Sequence, residues 1–354
     1  MSDIAPKDCW KNKDRYYEYL AKYAEQSVEV AVKDEHTFTV MTKMKRDDGR
    51  DGHIFAFYNQ GSVDNLNNND EVFRKLEHNI SKINEKLQKK KLLSAISLSI
   101  DQNIDRKMSV LRRHNFFPAT KTKFLSCKLA NSERLKKHVS EQDQVVTIYE
   151  INGDDERFKL SDSLLLEIFD CMIKSTGIPA DNGNTRKYFF DLFKVVPMGP
   201  THPLRFFVGT LNGGTEVLCA GTLYFDDESI AGIYNIMTSK EHRMHGLGSK
   251  MSLHCMKIAS EEGCEFCVLE PSPMAESMYR RLGFVDCLER IMMLNIHHVN
   301  NYMRAVSYLL TNPLSRRVIN LQKITEKKAE IKFWLKIFAL LFVVFFVIRF
   351  MLKK

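Results

Sequence analysis

What this chain lacks narrows it first. Its N-terminus, MSDIAPKDCW, has no basic segment followed by an apolar core, so a secretory signal is not expected. Eight cysteines lie scattered without a framework, which suits a reducing compartment. Cys264-Glu265-Phe266-Cys267 is a single CxxC with no second pair and no neighbouring His. It reads as small residues opening a buried strand rather than a zinc or redox site, and no metal is expected. A basic surplus is missing from the body as well. The net charge of +8 belongs to the stretch from Leu314 onward, where ten Lys or Arg face only Glu326 and Glu330. The remainder balances 42 basic against 42 acidic side chains, which argues against a nucleic-acid partner.

What is present is clearest near the C-terminus. Phe333 to Leu352, FWLKIFALLFVVFFVIRFML, is 20 residues long. As a helix it would reach roughly 30 Å, about one bilayer core. Its uncharged centre, Ile337 to Ile348, is shorter, so Lys336 and Arg349 must snorkel to the two interfaces. The segment is apolar all round, unlike a helix lying flat on a surface. A transmembrane tail anchor over 333–352 is therefore expected, preceded by a basic juxtamembrane helical segment over 298–332, with everything before it facing the cytosol.

Alternating residues predict strands over 27–44 and 53–58, and Val72, Leu76, Ile80, Ile83 and Leu87 mark an amphipathic helix over 71–91. A strand over 92–100, a helix over 105–115 and a strand over 121–129 follow. A second series starts at Gln144: a strand, helices over 161–175 and 185–194, and strands over 204–210, 216–225 and 229–237. A helix over 246–262, a strand over 266–269, a helix over 273–281 and a strand ending near Asn295 complete it. Asp226-Asp227-Glu228 reads as a solvated hairpin tip rather than an acid cluster. The class is α/β with a mixed sheet. An internal repeat is visible: Ser109 to Phe116 (SVLRRHNF) and Ser277 to Phe284 (SMYRRLGF) share four of eight positions at an offset of 168, and Phe57-Tyr58-Asn59 matches Ile233-Tyr234-Asn235 more weakly. Two copies of one fold are expected, over 1–130 and 144–297.

The stretch Glu241 to Lys250, EHRMHGLGSK, sits where the 229–237 strand hands over to a helix. The first amides of a helix have no internal partners, and the macrodipole puts partial positive charge there. Gly246 and Gly248 let the backbone approach an oxygen-rich ligand, Arg243 adds a fixed cation, and no acid follows Glu241. Together these make a seat for a pyrophosphate. A dinucleotide-binding G-x-G-x-x-G fits poorly, since Met251 takes the third glycine position. The R-x-x-G-x-G arrangement resembles that of the GCN5-related N-acetyltransferases (GNAT superfamily). Ala275, Tyr279 and Leu282-Gly283-Phe284 are similar to that superfamily's next signature, A-x-x-x-Y-x-x-L-G-F.

That resemblance implies acetyl-CoA as cosubstrate. Ile236, Met237 and Thr238 would lie along its pantetheine arm, and Arg243, Met244, His245, Gly246, Leu247, Gly248 and Ser249 would hold the pyrophosphate. Ser272 stands where the family often has Asn, and Lys240 replaces its usual Pro. Tyr279 matches the tyrosine that protonates the departing thiolate. A protonated amine must first lose a proton, with a pKa near ~10.4 for Lys. Glu270 and Tyr234 are the candidate bases. His242, His245 and His254 read as loop or helix-surface residues. The first copy departs further: Leu111 takes the Tyr279 place, Asn115 replaces Gly283, and GSVDNLNNND offers no Arg and two acids. It is expected to be a degenerate copy. The implied function is acetyl transfer to an amine on a small molecule or protein, at a membrane. A non-catalytic CoA-binding membrane adaptor, or transfer of longer acyl chains, are the alternatives.

Overall fold

Period-two alternation becomes one eleven-stranded sheet in a computed structural model. It describes residues 4–33, 38–42, 56–59, 70–90, 94–100, 103–133, 135, 146–176, 183–211, 214–226 and 228–295. The expected segments 298–332 and 333–352 lie outside these residues. Among the described residues no helix is long and apolar enough to cross a membrane. In chain order come α1 (Pro6–Tyr23), β1 (Val28–Lys33), β2 (Phe38–Thr42), β3 (Ala56–Asn59), α2 (Asp70–Lys90), β4 (Ser94–Ser99), α3 (Ile104–Arg113) and β5 (Phe116–Lys128). Then follow β6 (Val146–Glu150), α4 (Asp162–Thr176), α5 (Gly183–Phe193), β7 (Leu204–Leu211), β8 (Cys219–Phe225), β9 (Ile230–Thr238), α6 (Leu247–Glu261), β10 (Phe266–Leu269), α7 (Glu276–Arg281) and β11 (Val285–Asn295). The helix α1 was not expected from the sequence. Pro6 at its first position fits the missing N–H there, and its polar side chains obscure its periodicity.

The strand order is β1-β2-β3-β4-β11-β5-β10-β9-β8-β7-β6. Read outward from the central β11–β5 pair, the two sides mirror each other. Each central strand pairs antiparallel with the outer neighbour of the other half, β11 with β4 and β5 with β10. The next pairs, β3–β4 and β9–β10, are parallel, and antiparallel hairpins follow. The expected boundary between 130 and 144 therefore does not divide two sheets: β11 lies between β4 and β5, and residues 1–303 form one compact unit. The repeated windows end α3 and α7 and feed β5 and β11. In both, the turn takes one left-handed residue, Asn115 (φ 61°) or Gly283 (φ 100°). Their N–H groups bond back to Arg112 and Arg280 by the same three-residue step. Asn is the non-glycine residue best suited to that conformation, so its replacement of Gly keeps the turn.

Alternation assigns the two faces. On β10, Cys267 and Leu269 are buried with Met251, Cys255 and Tyr279 of α6 and α7, whereas Phe266 and Val268 are buried with Ile4 and Cys9 beside α1. On β7, Leu204, Phe206 and Val208 pack with Leu165, Phe169 and Phe193 of α4 and α5, together with Tyr16 and Leu20 of α1. One face thus carries α6 and α7, the other α1, α4 and α5. Each fully buried Leu or Phe contributes roughly 1.5–3 kcal/mol, so both layers are strongly held. Buried Arg205 of β7 is satisfied by Glu150 and by Glu262 at 2.7 Å.

One covalent link was not expected, and one expectation is corrected. Cys9 and Cys287 form a disulfide that ties α1 to β11. Asp226 is not a solvated tip: its carboxylate is enclosed, accepting from the Glu228 and Ile230 amides and, at 3.0 Å, from Asn12 of α1. A buried carboxylate needs such donors, and here the hairpin fastens α1.

Candidate active site

The parallel pair β9–β10 is the place where the sheet opens. Pairing covers only Ile230–Gly232 against Phe266–Val268, although β9 continues to Thr238. A bulge explains the parting: Ala220 faces Met237 and Thr222 faces Tyr234, so Gly221 opposes both Asn235 and Ile236. Asn235 is left-handed (φ 52°) and exposed, and its side-chain amide donates to Thr222 Oγ1 at 3.1 Å. Beyond Gly232, the β9 edge towards β10 carries backbone groups outside any ladder. Ile236, Met237 and Thr238 lie on that edge.

Above it stands the N-terminus of α6. The turn Lys240–His242 is 3₁₀, fastened by a 2.7 Å contact between Ser239 Oγ and His242 Nδ1. Half-buried Arg243 follows, and the exposed loop Met244, His245 and Gly246 leads into the helix. Met244 (φ 65°) and Gly246 (φ 80°) are both left-handed, a backbone form that costs a non-glycine residue about 1–2 kcal/mol. The first intrahelical bond is Lys250 N–H to the Gly246 carbonyl, 2.9 Å, so the Leu247, Gly248 and Ser249 amides precede it. No acid occupies this first turn, whereas α2 begins with Asp70 and Glu71. A Cβ on Gly248 would meet Met278 Sδ at 3.3 Å and Thr238 Oγ1 at 3.7 Å, which places the helix start beside both β9 and α7.

Tyr279 is buried on the α6–α7 face, its ring edge-on to Phe284 at 5.6 Å. Burial pushes its phenol up, opposed by a hydrogen bond with Ser252, so it stays protonated near neutral pH. Ser252 in turn donates to the Gly248 carbonyl at 2.7 Å. Sequence reasoning missed Ser252, although its spacing of four from Gly248 puts both on one helical stripe.

Glu270 continues the alternation of Phe266 and Val268, which puts it on the opposite face, under α1. It is ion-paired and hydrogen-bonded with Lys13 of α1. Burial alone would raise the Glu270 carboxyl, but Lys13 and Arg290 outweigh it and hold it down to about 2. So low a value makes it a weak base. Tyr234 donates its hydroxyl to Asn12 Oδ1 at 2.7 Å and stacks on Tyr16 at 4.5 Å, and burial lifts its phenol well above the usual range. Both base candidates are thus engaged by α1, an element that no motif had flagged.

The structure therefore gathers Ile236, Met237, Thr238, Gly246, Leu247, Gly248 and Ser249 at one strand edge and helix start, with Tyr279 on the same face of the sheet. Arg243, Met244 and His245 form the loop between. Glu270 lies across the sheet, and exposed Ser272 precedes α7, its carbonyl accepting from the Ala275 and Glu276 amides. His254 packs its ring against Phe207 at 4.9 Å. Among the described residues no group of His, Cys, Asp or Glu is placed to hold a metal ion.

Residues 180–284 match the Acetyltransferase (GNAT) family. Among solved structures, a GCN5-related N-acetyltransferase from Kribbella flavida is similar at 12% identity and TM-score 0.51, over 80% of this chain and 96% of that one. A tandem GNAT protein from the clavulanic acid biosynthesis pathway aligns at 12% identity and TM-score 0.48, over 82% and 96%. The Kribbella likeness is one of fold: a mixed α/β, GNAT-like architecture.

Proposed function

We propose that the chain is an acetyl-CoA-dependent N-acetyltransferase, held at a membrane through residues 333–352 with residues 1–297 in the cytosol. The observation that carries this reading is the parting of β9 from β10 beneath an α6 N-terminus free of acidic side chains. The residues fit the cosubstrate. An extended amide-bearing arm would pair with the β9 edge at Ile236, Met237 and Thr238, beyond the end of the β9–β10 ladder. The Leu247, Gly248 and Ser249 amides, with Arg243, suit a pyrophosphate. Bound acetyl-CoA would supply an acetyl thioester.

The two faces then divide the labour. Tyr279 is a neutral phenol on the α6–α7 face and keeps a proton for a departing thiolate, with Ser252 orienting its hydroxyl. The acceptor amine enters from the α1 face. Glu270 joins the proposal as the anchor of Lys13 rather than as the base. This pairing also favours a second reading, in which the chain binds CoA without turnover as a membrane adaptor. Residues 1–130 are proposed as the degenerate copy. Its β3–β4 pair stays together through Asn59 and Ser97, and Asp70, bound by Arg106, already supplies an anion at the start of α2.

Purified full-length protein in mild detergent is titrated with acetyl-CoA by calorimetry, and free CoA thiol is then followed across a panel of amines. Binding with thiol release is expected. No binding would end both readings, and binding without release for any amine would leave the adaptor.

A further inference from the structure

The first turns of α1 are held to the sheet by a covalent bond as well as by packing. Cys9 of α1 is fully buried beside Phe124, Ile230, Phe266 and Val268, and its sulfur is bonded to that of Cys287 on β11. A bulge aims Cys287 at the helix. Asp286 faces Leu125 and Leu288 faces Phe124, so Cys287 is an extra residue with no partner on β5. Strict alternation would send it to the face opposite Leu288, yet both pack in the cluster beneath α1. Cys287 is half-buried whereas Cys9 is enclosed, so the β11 end is the more accessible end of the bridge. Cys9 lies three and four residues before Asn12 and Lys13, on one helical stripe. That stripe meets Tyr234 and Asp226 through Asn12, and Glu270 through Lys13. The other six cysteines are thiols, including Cys127 and Cys267, which face each other across β5 and β10. One bridge between residues 278 apart, in a chain otherwise of thiols, is not the pattern of a disulfide scaffold.

We propose that Cys9–Cys287 is a reversible lock on α1, closed by glutathione disulfide and opened by the glutathione thiol. To close it, the Cys287 thiolate attacks one sulfur of glutathione disulfide and releases a glutathione thiolate. The Cys9 thiolate then attacks the Cys287 sulfur of the mixed disulfide, which forms the bridge and releases the second glutathione. The chain gives up two electrons and two protons, and one glutathione disulfide becomes two thiols. Opening is the reverse, with attack at the accessible Cys287 sulfur and Cys9 as the leaving thiolate. With the bridge open, noncovalent contacts alone hold the Cys9–Asn12–Lys13 stripe, and α1 leaves the sheet more often. The redox state of the surroundings thereby sets how firmly Tyr234 and Glu270 are covered. The lock stands whether the chain transfers an acetyl group or only binds CoA.

The test uses the full chain in mild detergent, equilibrated in excess glutathione thiol or in excess glutathione disulfide. Unreacted thiols are alkylated, and the Cys9–Cys287 peptide pair is quantified by mass spectrometry. The bridge is expected to form and to disappear reversibly between the two buffers while the chain stays folded. Hydrogen exchange is then compared between the two forms. The α1 amides should exchange at least about tenfold faster in the dithiol form, with those of β7 unchanged. Cys9→Ser and, separately, Cys287→Ser should exchange in glutathione disulfide as the wild-type dithiol does, and Cys264→Ser should keep the bridge. The wild type supplies both forms, so a serine variant that fails to fold leaves the measurement intact. Failure of the bridge to form in excess glutathione disulfide, its survival in the folded chain through excess thiol, or equal α1 exchange in the two forms overturns the proposal.

Discussion

The pairing of Lys13 with Glu270 makes a quantitative prediction about how α1 is held. The two side chains are 18% and 23% exposed, so solvent screens them only in part. Glu270 falls from an ordinary 4.5 to about 2, and Lys13 is raised. At about 1.4 kcal/mol per tenfold, the carboxylate's stabilisation comes to about 3 kcal/mol, shared between Lys13 and Arg290. Because the folded value is the lower one, this contribution is complete above about pH 4.5 and is lost as the pH falls towards 2. Lys13→Met should cost about 2–4 kcal/mol at pH 7, since it strands a largely buried carboxylate. Glu270→Gln should flatten the acid limb of the stability curve over that window. The double variant should recover part of the loss, leaving a coupling energy of about 2 kcal/mol. Trp10 on α1 reports the transition by fluorescence in urea once Trp334→Phe removes the other indole. A coupling below about 0.5 kcal/mol would refute the pair as a fastening of α1.

Other outcomes are equally direct. Arg243→Glu should raise the apparent Kd for acetyl-CoA by about 10–100-fold, read by calorimetry, because a charge-assisted bond becomes a repulsion. Tyr279→Phe should lower kcat by about a hundredfold with the acetyl-CoA Kd kept, and an unchanged kcat at every pH would remove the residue from its role. Asn115→Val should destabilise the chain by about 1–2 kcal/mol in urea unfolding, since a β-branched residue resists φ 61°, whereas Asn115→Gly should be neutral. Deleting residues 333–354 should release the protein from membranes in a flotation assay, with the acetyl-CoA Kd unchanged.

The legible parts of the fold were those in which local pattern and tertiary role agree. Burial on both faces turned Leu204–Leu211 and Cys219–Phe225 into near-continuous apolar runs, and Gly246 and Gly248 announced a helix start stripped of side chains. The repeat SVLRRHNF against SMYRRLGF was legible because both windows must make the same left-handed turn into a central strand. What stayed hidden depended on distant partners. Nothing local tells that Lys13 will meet Glu270, or that Asp226 will be enclosed by Asn12 and Arg15. The exchange of β5 and β11 between halves was equally invisible, since a strand's pattern fixes its faces and not its neighbours.

That exchange gives a physical reason for keeping an N-terminal half whose own parallel pair is described from Ala56 to Asn59 against Ser94 to Ser97. Without β5, strand β10 would lose its antiparallel neighbour along Phe266–Leu269, and β11 would lose the partner that it follows from Val285 to Asn295. An edge of bare amides would then lie beside the very strands whose parting makes the cleft. Without α1, Phe124, Ile230, Phe266 and Val268 would face water, and Glu270 would lose Lys13. The opening between β9 and β10 also tolerates its missing ladder bonds only because both sides are braced, β9 by β8 and β10 by β5. The first half thus serves the second as its frame: it lends a strand and a helix so that the other pair can stay apart.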